Sequence, residues 1–166
     1  MNTPSKAPAL QVSRWFNTSE PLELEALRGK VVVLTTFQLL CPGCVSYGMP
    51  QAKKIRELFF PEDLVVIGLH TVFEHHEAQG PATLEAFLSE NGIDFPVGVD
   101  KPSFSGNIPQ TMAAYGLQGT PSLILIDRKG MRRAQHFGQV PELAIGAELG
   151  TLIAERELRI PNGSAA

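Results

Sequence analysis

The strongest pattern along the chain is Val31-Val32-Val33-Leu34-Thr35-Thr36-Phe37, a β-branched run preceded by Arg28-Gly29-Lys30. Apolar residues at consecutive rather than alternate positions predict a strand covered on both faces, hence a central one. Leu64–Leu69 and Ser122–Asp127 have the same character. Gly130–Phe137, entered through an Asp-Arg-Lys-Gly turn, reads as a hairpin partner, so four core strands are predicted. Between the first two runs, Ile55, Leu58 and Phe59 interleave with Lys53, Lys54, Arg56 and Glu57 at helical spacing, which predicts an amphipathic helix over 45–60. Helices are also expected over 82–90, over 142–159 and, briefly, over 110–115. Strands alternating with helices, closed by a hairpin and a helix, make an α/β domain.

A chain of 166 residues is long enough to bury one core without covalent staples. The expected organisation is a disordered N-terminus over 1–7, one domain over 8–160 and a flexible small-residue tail over 161–166. The opening residues, rich in Thr, Pro, Ser and Ala, lack the apolar core of a signal peptide, and no apolar run approaches the length of a membrane span. A cytoplasmic location with no membrane partner is therefore expected. The formal charge of −3, from 17 acidic and 14 basic residues, carries no nucleic-acid footprint. Gly and Pro number 15 and 13, which makes the chain turn-rich without being low in complexity.

Two cysteines are too few for a disulfide scaffold or a four-cysteine metal site. Their placement is the informative feature: Cys41-Pro42-Gly43-Cys44 falls directly after the central strand and opens the first helix. A C-x-x-C pair there can close a small disulfide loop. The first sulfur then sits at the helix N-terminus, where unpaired N–H groups and the dipole favour a thiolate. Pro42 has no N–H to lose at the first helical position, and it leaves the Gly43 and Cys44 amides as candidate donors. Cys41 is thus the expected exposed nucleophile, and Cys44, more buried, the thiol that resolves a mixed disulfide. Gln38, Leu39 and Leu40 bring no cation to Cys41, so only a moderate depression of its pKa is expected. A zinc site would need two further ligands. No third cysteine is present, and His70, His75, His76 and His136 are the only remaining candidates, so neither metal nor cofactor is expected.

Thr120-Pro121 stands at the mouth of the strand Ser122–Asp127, where a proline is unusual because it cannot donate to the ladder. Base rates alone favour a trans bond there.

Strand, Cys-x-x-Cys, helix, and a later Thr-Pro before a hairpin resemble the thioredoxin superfamily. Gly29-Lys30-Val31-Val32-Val33-Leu34, Tyr115-Gly116-Leu117-Gln118-Gly119-Thr120-Pro121 and Ile126-Asp127-Arg128-Lys129-Gly130 resemble, more narrowly, the TlpA-like thiol-disulfide oxidoreductases of the redoxin group. The likeness extends over about residues 8–157. It implies a thioredoxin-like fold, a central mixed sheet flanked by helices, with an N-terminal extension and an inserted strand–helix segment at about 72–100. It also implies that Pro121 is cis and faces the cysteines, and that Pro50, with Gly48 before it, kinks the first helix. Cys41 would attack and Cys44 resolve. Leu40, Pro42, Gly43, Thr120 and Pro121 would meet the substrate, largely through backbone hydrogen bonds. Two residues depart from the family pattern: Leu40 replaces a common tryptophan, and Thr35 stands where thioredoxins place a buried carboxylate. That leaves His70, at the end of a strand expected beside the redox strand, as a candidate base.

The expected activity is exchange with protein or small-molecule disulfides. Partners would be a disulfide-containing protein or low-molecular-weight thiol and an electron donor, working in the reductase direction. A thiol peroxidase is the alternative, since the redoxin group also holds peroxiredoxins. In that case Cys44 would take the reactive position, but the family's proline would fall on Phe37 and its arginine on Pro121. A third reading is a non-catalytic thioredoxin-like binding module.

Overall fold

The structure is a computed structural model that describes residues 4–155. Its framework is one mixed sheet. The predicted central strand is β3 (Val31–Phe37), after the short β1 (Ser5–Lys6) and β2 (Val12–Phe16). β4 (Leu64–His70) and β5 (Val97–Asp100) follow, then β6 (Ser122–Ile126) and β7 (Met131–Phe137). Among the described residues the sheet has seven strands in the order β1-β7-β6-β3-β4-β5-β2. β3 pairs parallel with β4, from Val31 opposite Leu64 to Phe37 opposite His70. It pairs antiparallel with β6, from Val32 opposite Ile126 to Thr36 opposite Ser122.

All seven residues of β3 are buried, as the continuous apolar run requires of a strand covered on both faces. Val31, Val33 and Phe37 face one core, shared with α1 (Met49–Leu58), α2 (Pro81–Glu90) and α4 (Glu142–Ala154) through Ile55, Leu88 and Leu149. Val32 and Leu34 face the other, with Ile67, Ile124 and Tyr115 of α3 (Gln110–Tyr115), and with Ala7 and Leu10 of the N-terminal segment packed alongside. This is the thioredoxin-like α/β arrangement expected from the sequence.

Ser5 and Lys6, inside the stretch expected to be a disordered lead-in, instead form β1 and pair with Arg132 and Met131. The Ala7 N–H continues the ladder to the Gly130 carbonyl at 3.0 Å, and Ala7 itself is buried. The expected insertion supplies α2 and β5, and β5 is covered at its outer edge by β2. The expected tail at 161–166 and the last residues of the helix predicted over 142–159 lie outside the described residues.

Leu34 is fully buried, so Leu34→Ala should lower stability by about 2–5 kcal/mol. Leu58→Ala, on a side chain 77% exposed, should stay within about 0.5 kcal/mol. Urea unfolding at one pH measures both; equal effects would contradict this packing.

Candidate active site

Three segments meet at the end of the sheet where β3 stops. They are the loop 38–41, the segment following β4, and Thr120-Pro121 leading into β6. Thr36 ties the last to the first: its Oγ1 accepts from the Ser122 N–H at 3.1 Å. The Thr71 N–H donates to the Phe37 carbonyl at 3.1 Å, which fixes the segment after β4.

Cys41 and Cys44 are joined as a disulfide, with Cα atoms 5.2 Å apart. Helix begins at Pro42, whose missing N–H would have had no intrahelical partner at that position. The Cys44 N–H points at Cys41 Sγ from 3.2 Å, which is the amide contact expected to favour a thiolate there. Cys41 Sγ also lies 3.4 Å from the Thr120 carbonyl oxygen, within reach of a hydrogen bond when the sulfur carries a proton. Cys41 keeps 9% of its surface and Cys44 none. The order of exposure is the expected one, although the first sulfur is more enclosed than the sequence suggested.

The Thr120–Pro121 bond is cis, and the proline ring lies against the helix that begins at Pro42. A Cβ at Gly43 would stand 3.3 Å from Pro121 Cδ, and one at Gly48 only 2.9 Å from Pro121 Cβ. Gly48 is therefore not a neutral interruption of the helix, because its missing side chain admits the proline. Cys44–Gly48 is wound as a π-helical turn before α1 takes over, with Pro50 at the start of α1. Pro50 has no N–H for the carbonyl four residues back, and its ring would crowd that carbonyl. The wider turn relieves both problems. The expected proline kink thus takes the form of a change in helical pitch.

Around the disulfide, Leu40, Val45 and Tyr47 are exposed apolar side chains, together with Pro42. Phe137, also exposed, packs its ring over Gly119. A surface concavity of about 890 Å³ lies at the opposite end of the sheet and is lined by Arg28, Asp63, Arg128 and Arg133 among others. Its charges are engaged with one another, as in Arg128–Asp63 at 2.8 Å and Arg133–Asp127 at 3.2 Å.

His70, the candidate base, closes β4 with only 1% of its surface exposed, its ring against Phe37 at a centroid distance of 5.3 Å. Its Nε2 has no hydrogen-bond partner among the described residues. Burial pushes the imidazole down to about 4, while a contact with the Gln79 side chain works in the opposite direction. It is therefore neutral at pH 7. Asp100, another buried titratable group, accepts from Thr71 Oγ1 at 2.9 Å and from the Thr111 and Met112 N–H groups at 2.8 and 3.0 Å. Its pKa is raised by burial against the pull of those donors, and it anchors α3 rather than the sulfurs.

Sequence reasoning missed Gln79 and gave Gln38 no role beyond a flank without charge. Both are buried, and they bond to each other beneath the redox loop at 3.3 Å. The one local signal was a polar Gln38 between Phe37 and Leu39 at the end of an apolar run. Among the described residues, no group of three or more His, Cys, Asp and Glu side chains is placed to hold a metal ion, and no helix is long and apolar enough to cross a membrane.

The Redoxin family model matches residues 3–148 of this chain. A solved structure of a thioredoxin-like superfamily protein is 57% identical and superposes with a TM-score of 0.89, over 91% of this chain and 97% of its own. A thiol-disulfide isomerase from Corynebacterium glutamicum is 51% identical with a TM-score of 0.86, over 90% of this chain and 98% of its own. Protein DipZ of Mycobacterium bovis is 29% identical over 136 residues, which are 80% of this chain but only 18% of the longer protein.

Two outcomes follow from this geometry. Gly48→Ala should lower stability by about 1–3 kcal/mol through the clash with Pro121, measured by urea unfolding. For His70, the folded pKa lies below the unfolded value. The unfolded chain therefore binds the proton first as pH falls, and stability should drop between about 6.5 and 4, by up to about 1.4 kcal/mol per pH unit. His70→Leu should flatten that part of the stability profile, and a slope identical to wild type would contradict the assignment.

Proposed function

Because this chain belongs to the Redoxin family, we propose that it is a thiol-disulfide oxidoreductase in which Cys41 attacks and Cys44 resolves, acting on protein or small-molecule disulfides. The observation that carries this reading is the cysteine pair itself, with the Cys44 N–H on Cys41 Sγ and the Thr120 carbonyl beside it. The Cys41 thiolate attacks one sulfur of the substrate disulfide; that S–S bond breaks, and the other substrate sulfur leaves as a thiolate and takes a proton. Cys44 then attacks Cys41 Sγ in the mixed disulfide and releases the second substrate thiol. The substrate has gained two electrons, the protein has become the Cys41–Cys44 disulfide, and a dithiol donor restores it.

The exposed apolar residues Leu40, Pro42, Val45, Tyr47 and Phe137 suit an extended, partly apolar chain laid across the disulfide. The Thr120-Pro121 backbone and Gly43 would form the edge on which it docks. We place the preferred direction at reduction. One amide donor and no flanking cation stabilise the Cys41 thiolate only modestly, so the dithiol is not strongly favoured over the disulfide. Such a reductase suits a reducing compartment such as the cytoplasm. His70 is given no proton-transfer step, since a base held near 4 is poorly matched to a thiol ionising near 8.5. The peroxidase reading gains nothing at this site: the position where that family carries its arginine is Pro121, which is occupied in packing against the helix.

With a dithiol reductant and a peptide disulfide, the wild type should turn over and Cys41→Ser should not. Cys44→Ser should accumulate a Cys41 mixed disulfide visible by mass spectrometry. Full activity in Cys41→Ser would falsify the assignment. Equilibration in glutathione buffers gives the potential, and a value as oxidising as that of a dedicated disulfide donor would reverse the direction proposed.

A further inference from the structure

Beneath the disulfide, and outside the residues assigned to the reaction, two buried side-chain amides form a connected set. Gln79 lies between β4 and α2 and is 4% exposed. Its Oε1 accepts from two consecutive backbone N–H groups, Leu39 at 2.7 Å and Leu40 at 3.4 Å. Its Nε2 donates to Gln38 Oε1 at 3.3 Å and to the Glu74 carbonyl at 2.9 Å. Gln38 Oε1 also accepts from the Phe73 N–H at 3.2 Å, while Gln38 Nε2 donates to Thr120 Oγ1 at 3.4 Å. Each polar atom of the two amides therefore has a partner. The partners are the two residues before Cys41, the residue before Pro121, and the segment between β4 and α2.

Removing Gln79 would strand the buried Leu39 N–H, leaving that donor with its full desolvation penalty. The loop would move to recover a partner and carry Cys41 with it. A carboxylate at position 79 would satisfy the same N–H groups. It would also set a negative charge behind a sulfur that must ionise, and so raise the pKa of that sulfur. A neutral amide meets the first requirement without the second effect.

We propose that Gln79 is a positioning residue for Cys41: braced by Gln38, it holds the Leu39-Leu40 backbone so that Cys41 Sγ stays on the Cys44 N–H. The segment between β4 and α2 is thereby a working part of the redox site. This rests on the reading of Cys41 as the attacking thiol. The titratable groups around that thiol are Cys44 and the exposed Tyr47 on the helix, and His70 at the end of β4, which is neutral above about 4. On the segment after β4, Glu74 contributes its backbone carbonyl, while His75, His76 and Glu77 are exposed; on β7, His136 is engaged with Glu148 at 2.9 Å. Lys53, Lys54 and Arg56 lie farther along α1.

The test is the rate of Cys41 alkylation by iodoacetamide against pH, read by mass spectrometry of the Cys41 peptide in the reduced full-length chain. Gln79→Met keeps the length of the side chain and removes every hydrogen bond it makes. Its profile should move to higher pH, with alkylation about tenfold slower at pH 7 and within about twofold of wild type at pH 10. An unchanged profile overturns the proposal, and so does an equal loss at both pH values, which is what a smaller folded fraction would give. Should Gln79→Met not fold, Gln38→Met removes only the brace and should shift the profile the same way by a smaller factor; no shift there overturns the proposal as well. Alkylation needs no disulfide substrate. A chain that turns over no disulfide yet shows the shift would sink the functional reading alone, whereas normal wild-type turnover with no shift in the variants would sink only this inference.

Discussion

β3 is held on both edges and both faces, and the site inherits its geometry from that confinement. With β4 parallel on one side and β6 antiparallel on the other, register fixes Phe37 opposite His70 and Thr36 opposite Ser122. The chain leaving β3, the chain leaving β4 and the chain entering β6 therefore arrive at one end of the sheet at fixed heights. A slip of one residue in either pairing would reverse the alternation of Val31, Val33 and Phe37 against Val32 and Leu34, and so put both cores out of order. Burial of the strand thus sets where the cysteines, His70 and Thr120-Pro121 stand relative to one another.

Within that frame the final adjustment is steric. Pro121 occupies the space left by the absent side chains of Gly43 and Gly48. Backbone and ring then approach closely enough for the Thr120 carbonyl to reach Cys41 Sγ at 3.4 Å. The π turn at Cys44–Gly48 and Pro50 belong to the same arrangement. The helix changes pitch where it passes the proline, then continues as a regular amphipathic helix whose Ala52 and Ile55 are buried in the core.

Elements carried by local pattern were legible in the sequence. The runs at 31–37, 64–69 and 122–127 and the helical spacing around Ile55 needed no partner to be recognised, although Leu58, read as part of that face, is 77% exposed at the last turn of α1. β2 was not legible, and β5 was expected only through the resemblance, because Val97-Gly98-Val99-Asp100 is short and contains a glycine, and its pairing with Val12–Phe16 joins segments about half the chain apart. β1 is two residues long and exists through the partner it finds in β7. The cysteines declared themselves by their spacing. Gln79 could not, because a glutamine in a polar turn looks like any solvated residue until the fold brings it under Leu39. Gly48 was visible as a glycine, but the reason for it lies more than seventy residues away in Pro121.

The polar groups enclosing the redox loop are almost all neutral. Gln38, Gln79 and Thr120 carry no charge at any ordinary pH, His70 is held neutral by burial, and the buried carboxylate of Asp100 is turned to the N–H groups of α3. A buried ion near the sulfurs would bias the couple strongly in one direction, since charges interact with little screening away from water. With no such ion among these groups, the charge on Cys41 depends on backbone dipoles, the Cys44 N–H and the helix N-terminus behind it. Those are contributions of geometry, weakened when the loop moves away from the helix N-terminus. A site tuned by dipoles rather than by ions must therefore be held rigidly. That requirement accounts for the loop 38–41 being fastened from below by two glutamines and from the side by a proline that leaves room for no side chain at Gly48.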